Sequence, residues 1–228
     1  MTAPLDPNIA RLVREERLVE AAQLASAIGD AHLASRLYER ACDWEGAARE
    51  ALRAGESVRA LELAVASGDD TLTQRAAQLV SVSEDAARHA AARLAARGHH
   101  AWAARVLDFA GQSVDAAHEW ERAGDATRAA AALDQAGQPA HATRVLEAAL
   151  RRDPGLTSAT VMLGALLVRY GKWDAALRAL QRVLPGSAHR REALVPLVRA
   201  LDGLRLSHAA REAEAELASL GGPPRRPR

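Results

Sequence analysis

Residues 98–137 read GHHAWAARVLDFA, then GQSVDAAHEWERA, then GDATRAAAALDQA and a closing G, so glycine returns at every thirteenth position. The same spacing runs upstream, and one further glycine follows Gly137 by thirty-four residues. These further turn positions are Gly29, Cys42, Gly55, Gly68 and Gly171. Because glycine readily takes the left-handed conformation that closes a helix, each position is predicted to end one helix and precede the next. Residues 98–184 therefore predict an array of short helices.

Alanine stands five residues after the turn in every segment except the one that begins at Gly68, which has Thr73. About nine or ten residues remain for each helix, a rod of roughly 14 Å that is unstable alone in water. The small alanine side chain lets such helices approach closely and stabilise one another. A larger side chain comes four residues before most turns. These predicted core residues are Tyr38, Leu94, Leu107, Trp120, Leu133 and Leu167.

The composition fits an all-α protein and argues against several functional classes. Of 228 residues, 49% are hydrophobic but only 3% are aromatic, and alanine, the best helix former, is abundant. A formal net charge of +1 gives no strong field to attract nucleic acid. Cys42 is the only cysteine, so no internal disulfide is expected. Residues 1–7 lack a signal-peptide pattern, and no apolar run reaches about eighteen residues, which predicts a cytoplasmic protein without a membrane partner.

The order of the segments predicts four regions. Residues 1–8 are expected to form a disordered lead-in, residues 9–80 N-terminal short helical repeats, residues 81–220 C-terminal repeats and capping helices of the same continuous solenoid, and residues 221–228 a flexible tail of proline and arginine. The first helix is expected over residues 9–28, in one or two pieces. The thirteen-residue spacing stops after Gly68, and Ser83 is expected to begin a helix beyond that interruption.

Four longer helices are expected towards the C-terminus, over residues 157–170, 172–184, 189–204 and 206–220. Pro154 is expected to end the helix before them, because proline disfavours the helical conformation of the preceding residue. Pro196 lies inside the third of the four helices, where it is expected to kink or restart the chain. The last two helices are predicted to cap the array.

Residues 125–184 resemble the tetratricopeptide repeat, whose period is thirty-four residues. A shift of thirty-four residues superimposes the turn glycine, the small residue and two leucines of one segment on those of the next. The equivalent pairs are Gly137 with Gly171, Ala142 with Ala176, Leu146 with Leu180, and Leu150 with Leu184. Upstream, the thirteen-residue segments give twenty-six residues per helix pair and are similar only to a shortened form of that repeat.

Residues 157–184 resemble the tetratricopeptide motif directly. Leu163 and Gly164 match the Leu-Gly pair of the family, and Trp173 matches its second aromatic position. Thr160 stands where the family has tryptophan, and Pro185 shortens the end of the repeat. The resemblance implies an all-α, right-handed α–α superhelix, or solenoid, of short antiparallel helix pairs.

The resemblance also implies a concave groove that binds a protein or peptide segment and is lined by the first helix of each pair. The groove positions implied in this chain are Ser158, Val161, Ala165, Val168 and Arg169, with Thr127, Ala131 and Asp134 one repeat earlier. Family members that bind chaperone tails clamp a carboxylate with lysine and asparagine at such positions. Val161 and Ala165 cannot do so, which argues against that class of ligand.

The alanine-rich and arginine-rich repeats are also similar in composition to helical segments attached to bacterial signalling proteins, including serine/threonine kinases and transcriptional regulators. This resemblance implies that the chain is the interaction part of a signalling protein. Neither resemblance identifies the partner, the pathway or the oligomeric state, and the chain could be a fragment of a longer protein.

Two adjacent pairs of side chains are the candidates for metal binding and acid–base catalysis. His99 and His100 are adjacent, and adjacent side chains on a helix diverge by about 100°, which does not favour a shared metal. The carboxylate pair Asp69 and Asp70 diverges in the same way. No nucleophile motif or phosphate-binding loop with lysine is present. The chain is therefore predicted to be non-enzymatic and to need no metal or cofactor.

Three hypotheses for function follow. The preferred one is a scaffold that binds a protein segment in its groove. The first alternative is a structural or self-assembling spacer, in which an apolar end of one array stacks on another copy. The second is a solenoid whose arginines bind nucleic acid, but acidic residues balance the arginines and few aromatic residues are present for base stacking.

Overall fold

A computed structural model describes residues 6–220, which form fifteen helices and no strand. The proposed tail at residues 221–228 and most of the proposed lead-in lie outside the described residues. The helices are α1 (Pro7–Arg14), α2 (Leu18–Ala27), α3 (Ala31–Arg40), α4 (Trp44–Arg53), α5 (Ser57–Ser67), α6 (Asp70–Val80), α7 (Glu84–Ala96), α8 (His100–Phe109), α9 (Ser113–Arg122), α10 (Ala126–Gln135), α11 (Pro139–Arg152), α12 (Thr157–Arg169), α13 (Trp173–Leu180), α14 (Arg190–Gly203) and α15 (Ser207–Leu220). The prediction of an all-α fold of short helices is confirmed.

All nine predicted turn positions have a positive φ, from 58° at Cys42 to 87° at Gly29. At eight of them the next residue donates its N–H to the carbonyl four residues before the turn. At Gly111, for example, the N–H of Gln112 lies 2.9 Å from the carbonyl oxygen of Leu107. This bond closes the end of the helix in the Schellman manner. At six of these turns the carbonyl that ends the helix belongs to the predicted core residue, and at Gly29 and Gly55 it belongs to Ala25 and Ala51.

Two further turns of the same kind contain no glycine. Glu16 has a φ of 58° and precedes Gly29 by thirteen residues, and Arg205 has a φ of 61° and follows Gly171 by thirty-four. Both make the same closing hydrogen bond, and alanine again stands five residues later in each case. The turn at Glu16 divides the helix expected over residues 9–28 into α1 and α2.

The alanines five residues after the turns form the centre of the packing. Each of those at the glycine and cysteine turns is fully buried: Ala34, Ala47, Ala60, Ala103, Ala116, Ala129, Ala142 and Ala176. A buried alanine at this position lets the backbones of consecutive helices lie close together. Of the six larger residues predicted for the core, five are at most 8% exposed, and Tyr38 is half-buried.

Polar residues immediately after the turns start the helices. The carboxylate of Asp43 accepts a hydrogen bond from the N–H of Gly46 at 2.9 Å, and Asp30 and Asp125 act in the same way. The side chain of Ser83 caps α7 as predicted. Helix α1 begins at Pro7, two residues before the expected start, because Asp6 caps it and proline suits the first helical position.

Two expectations near the C-terminus are corrected. Helix α13 ends at Leu180 instead of residue 184, because Pro185 has no N–H with which to continue a helix. Arg190 satisfies one carbonyl in the segment after α13 by donating to the oxygen of Val183 at 2.7 Å. Helix α14 is not restarted at Pro196, which is buried inside it between the core residues Leu194 and Leu197.

The chain divides into two compact units, Met1–Glu119 and Trp120–Arg228. The first unit contains α1–α8, the second contains α10–α15, and α9 crosses the division. In the second unit α10, α12 and α14 are the first members of successive helix pairs, and α12 contacts both of the others. The division proposed near residue 81 and the handedness of the superhelix remain predictions.

Within the described residues, no helix has the length and apolarity to cross a membrane.

Replacement of Gly55 with alanine should lower the free energy of unfolding by about 1 kcal/mol. A left-handed conformation costs an L-residue roughly 1–2 kcal/mol, and the stiffer unfolded chain offsets part of that cost. No atom lies within 4 Å of a Cβ at this position, so the effect is conformational and not steric. Cys42→Gly should raise stability by about 0.5–1 kcal/mol for the same reason. Urea denaturation measures both, with Cys42→Ala as a nearly neutral control; an unchanged Gly55→Ala variant would contradict the turn assignment.

Candidate functional site

The predicted groove residues lie on two neighbouring helices of the second unit. Helix α10 carries Thr127, Ala131 and Asp134, and helix α12 carries the other five. The two helices contact one another directly. Ala165 is exposed and Val161 is half-buried, so both can meet a partner. Val168 is only 6% exposed and contributes to the packing of the helices.

Two of the predicted groove residues bind each other. The guanidinium of Arg169 forms an ion pair and a hydrogen bond with the carboxylate of Asp134. The hydroxyl of Tyr170 donates to the other carboxylate oxygen of Asp134 at 2.8 Å. The Asp134 side chain is 8% exposed, whereas that of Arg169 is 64% exposed. This group, here called the Asp134 cluster, links α10 to the end of α12 and neutralises the charge at that edge of the predicted groove.

The Asp134 cluster changes the acidity of Tyr170. The hydrogen bond to Asp134 raises the pKa of the Tyr170 phenol above its ordinary value, since ionisation would place a second negative charge beside the carboxylate. Desolvation acts in the same direction, and the neighbouring Arg169 opposes the shift. Sequence inspection missed Tyr170, whose position next to the turn glycine gave no sign of a partner on α10.

Gly164, in the Leu-Gly pair of the motif, lies where α12 meets α13. A Cβ built on Gly164 would come within 2.4 Å of the Cγ and Cδ2 atoms of Leu180, which is fully buried. The Trp173 ring packs in the same close manner against Gly203 of α14. The motif residues therefore set the distances between three successive helices.

Residues 135–201 match the model of the tetratricopeptide repeat family. This segment has the tetratricopeptide-like repeat that its motif predicted. The match begins at the end of α10 and covers α11–α13 and most of α14, so it extends beyond residue 184, where the sequence resemblance ended. A comparison with curated proteins found no match.

Two solved structures are similar to the chain over most of its length. YrrB, described as a TPR protein with an unusual peptide-binding site, is 15% identical, with 96% of this chain and 94% of that one covered at a TM-score of 0.47. A circular tandem repeat protein with novel repeat topology and enhanced subunit contact surfaces is 20% identical, with 92% and 61% covered at a TM-score of 0.20. At these scores the assignment of the fold rests on the helices and turns of this chain.

One residue of each candidate metal or acid–base pair has a structural partner. His100 lies 2.7 Å from a carboxylate oxygen of Glu119, and Asp69 caps α6 by accepting from the N–H of Leu72 at 3.0 Å. Among residues 6–220, no three or more histidine, cysteine, aspartate or glutamate side chains are grouped so as to hold a metal ion.

The first unit contains a cleft that the sequence did not indicate. Its volume is about 840 Å³, and α3, α5 and α7 line it. The only sequence signal was the four-residue spacing of His89, Arg93 and Arg97, which places these three side chains along one face of α7 and its C-terminal cap. Their partners on α3 and α5 are too distant in sequence to be recognised.

Replacement of Gly164 with alanine should lower the free energy of unfolding by roughly 1–3 kcal/mol, because the added methyl group overpacks the contact with Leu180. The helix propensity of alanine, about 1 kcal/mol better than that of glycine, acts in the opposite direction. In a Leu180→Ala background the space is open, so the same substitution should be neutral or stabilising. Chemical denaturation of the two single variants and the double variant gives the coupling; equal destabilisation in both backgrounds would refute the contact.

Replacement of Asp134 with asparagine should lower the pKa of Tyr170 towards its ordinary value, because the negative charge beside the phenol is removed. The chain has two tyrosines, so a Tyr38→Phe background isolates Tyr170 in an ultraviolet absorbance titration. Glu121→Gln on α9 is the control, since it removes a carboxylate elsewhere in the second unit. A Tyr170 titration that is the same with and without Asp134 would contradict the hydrogen bond.

Proposed function

We propose that the chain is a non-enzymatic scaffold that binds a segment of another protein on the face formed by α10 and α12. The observation that carries this proposal is the contact between these two first helices, part of which lies in the segment that matches the tetratricopeptide family. Neighbouring first helices present one continuous surface to an extended partner. The finer proposal, that the scaffold serves a bacterial signalling protein, follows only from the composition.

The proposed face offers small apolar side chains beside a neutralised polar edge. Ala131 and Ala165 have short side chains, so a partner can approach the backbone of both helices. The Asp134 cluster binds its own charges together and leaves no strong net field at the edge. The face therefore favours an apolar anchor over a carboxylate or an ammonium group. Affinity would come from a few such anchors on a preformed surface and not from buried area alone.

The alternative hypotheses have less support. Self-assembly by stacking requires an apolar terminal face, but the last described helix exposes His208, Arg211, Glu212 and Glu214. Nucleic-acid binding requires arginines free to contact phosphates, and many arginines in the described part of the chain pair with carboxylates. Examples are Arg53 with Glu50, Arg128 with Asp125, and Arg190 with Glu216.

The test introduces a bulky charge on the proposed face. The full chain is used as bait in affinity purification from the source lysate, alongside the variants Ala165→Arg and Val161→Arg with Ala165→Arg. Partners bound on this face should be reduced by about tenfold or more, because an arginine both blocks approach and is left without a partner. The single variant at exposed Ala165 guards against a folding defect at half-buried Val161.

The matched control is Ala140→Arg, which places the same side chain on an exposed position of α11. This variant should retain every partner of the unaltered chain. Retention of all partners by the folded Ala165→Arg variants, with circular dichroism confirming the helices, would refute the proposed face.

A further inference from the structure

The cleft of the first unit is lined by α3, α5 and α7, with Trp44 at the start of α4 beside it. All of these helices belong to the first unit, whereas the proposed groove lies on α10 and α12 of the second unit. The two proposed sites therefore share no residue. The lining of the cleft combines charged side chains on all three helices with apolar side chains, and the charges are distributed unequally.

The side formed by α5 and α7 has an excess of positive charge. Glu62 of α5 is 10% exposed and lies between Arg93 of α7 and Arg97, the residue that caps the end of α7. Arg93 donates to one carboxylate oxygen at 2.9 Å, and Arg97 lies 3.4 Å from the same oxygen. The other oxygen of Glu62 is in ion-pair contact with Arg93 but has no hydrogen bond of suitable geometry. One carboxylate therefore forms ion pairs with two guanidinium groups, each of which is about half exposed.

The side formed by α3 and α5 has the opposite arrangement. Arg59 of α5 lies between two carboxylates, 2.5 Å from Glu39 and 2.9 Å from Glu56. His32 lies 3.0 Å from the second of these. Burial acts to raise the pKa of Glu56, but the hydrogen bonds with His32 and Arg59 outweigh it, and the pKa is lower than usual. Glu56 is therefore ionised at neutral pH. Because Arg59 pairs with two carboxylates, this side of the cleft has no excess of positive charge.

The lining of the cleft also contains apolar side chains. Trp44 is 36% exposed, and Val58, Leu63 and Ala66 of α5 line the same cleft. A half-exposed tryptophan gives a rigid surface against which an apolar side chain can be buried, and such residues are frequent energetic anchors in protein interfaces. An apolar anchor and the positive side are therefore available to one ligand.

We infer that this cleft binds a segment of another protein that presents an acidic side chain next to an apolar one. The acidic group contacts the exposed sides of Arg93 and Arg97 and supplies the negative charge that Glu62 alone does not, while the apolar group lies against Trp44. Guanidinium groups bind carboxylates with paired hydrogen bonds, so the recognition is directional as well as electrostatic. The three glutamates in the lining disfavour a nucleic-acid backbone, whose successive phosphates would approach them.

The test begins with a phage-displayed library of random peptides, each about twelve residues long, panned on the immobilised full chain. Enriched peptides are synthesised with a fluorescein label, and their affinities are measured by fluorescence anisotropy. The enriched sequences should share an aspartate or glutamate within about two residues of a large apolar residue. Arg97→Ala should weaken their binding about tenfold, as expected for loss of one charge-assisted hydrogen bond.

Arg97 is the first choice because its removal leaves Glu62 paired with Arg93, so the fold is retained. Arg97→Glu reverses the charge and should abolish binding, and Trp44→Ala tests the apolar anchor separately. Arg88→Ala is the matched control: Arg88 lies on the same helix but pairs with Glu84 and Asp85 outside the cleft lining. It should bind the peptides as tightly as the unaltered chain.

The outcomes separate this site from the groove of the second unit. Peptides that bind the cleft should bind the Ala165→Arg variant with unchanged affinity. Peptides that bind the groove should not bind that variant but should bind the Arg97→Ala variant with unchanged affinity. The inference is overturned if panning enriches no sequence, if the enriched peptides lack acidic residues, or if Arg97→Ala binds them unchanged. It is equally overturned if a labelled single-stranded oligonucleotide binds, is lost on Arg97→Glu, and competes with the peptides.

Discussion

The left-handed turn that ends most of the short helices is the constraint on which the structure depends. A helix of about ten residues has too few internal hydrogen bonds to persist alone, so it must be stabilised by its neighbours. The turn brings the next helix alongside. The N–H of the residue after the turn donates to the carbonyl of the preceding core residue, as Gln112 does to Leu107. Five residues beyond the turn a buried alanine brings the next backbone close. Chain reversal and packing are thus fixed within one segment.

Much of this local geometry could be predicted from the sequence, because its causes lie within a few residues of one another. The turn at Gly111 and the buried Ala116 are examples. The turns at Glu16 and Arg205 were not predicted. Neither residue type favours a positive φ, and the packing of the neighbouring helices holds the backbone in this conformation. The spacing of the turns, read without their glycines, would have indicated both.

The charged surfaces could not be predicted, because they depend on residues that meet only after folding. Asp134 and Arg169 were both assigned to the groove, but their separation of thirty-five residues concealed that they neutralise each other. In the first unit, the arginines of α7 meet Glu62 about thirty residues earlier in the chain. One surface therefore has its charges balanced at its edge, whereas the other concentrates positive charge on the side formed by α5 and α7. This difference separates an apolar partner from an acidic one.

The thirteen-residue segment corresponds to one helix and not to a helix pair, which limits how the array can change its length. Successive helices alternate between two faces, and the cleft requires α3, α5 and α7 on the same face. Duplication of a single segment between α5 and α6 would move α7 to the other face and separate Arg93 from Glu62. Duplication of two segments would return α7 to the original face, but the inserted helix pair would still separate Arg93 from Glu62. Gain or loss of segments by recombination is thus compatible with this surface only outside the span from α3 to α7.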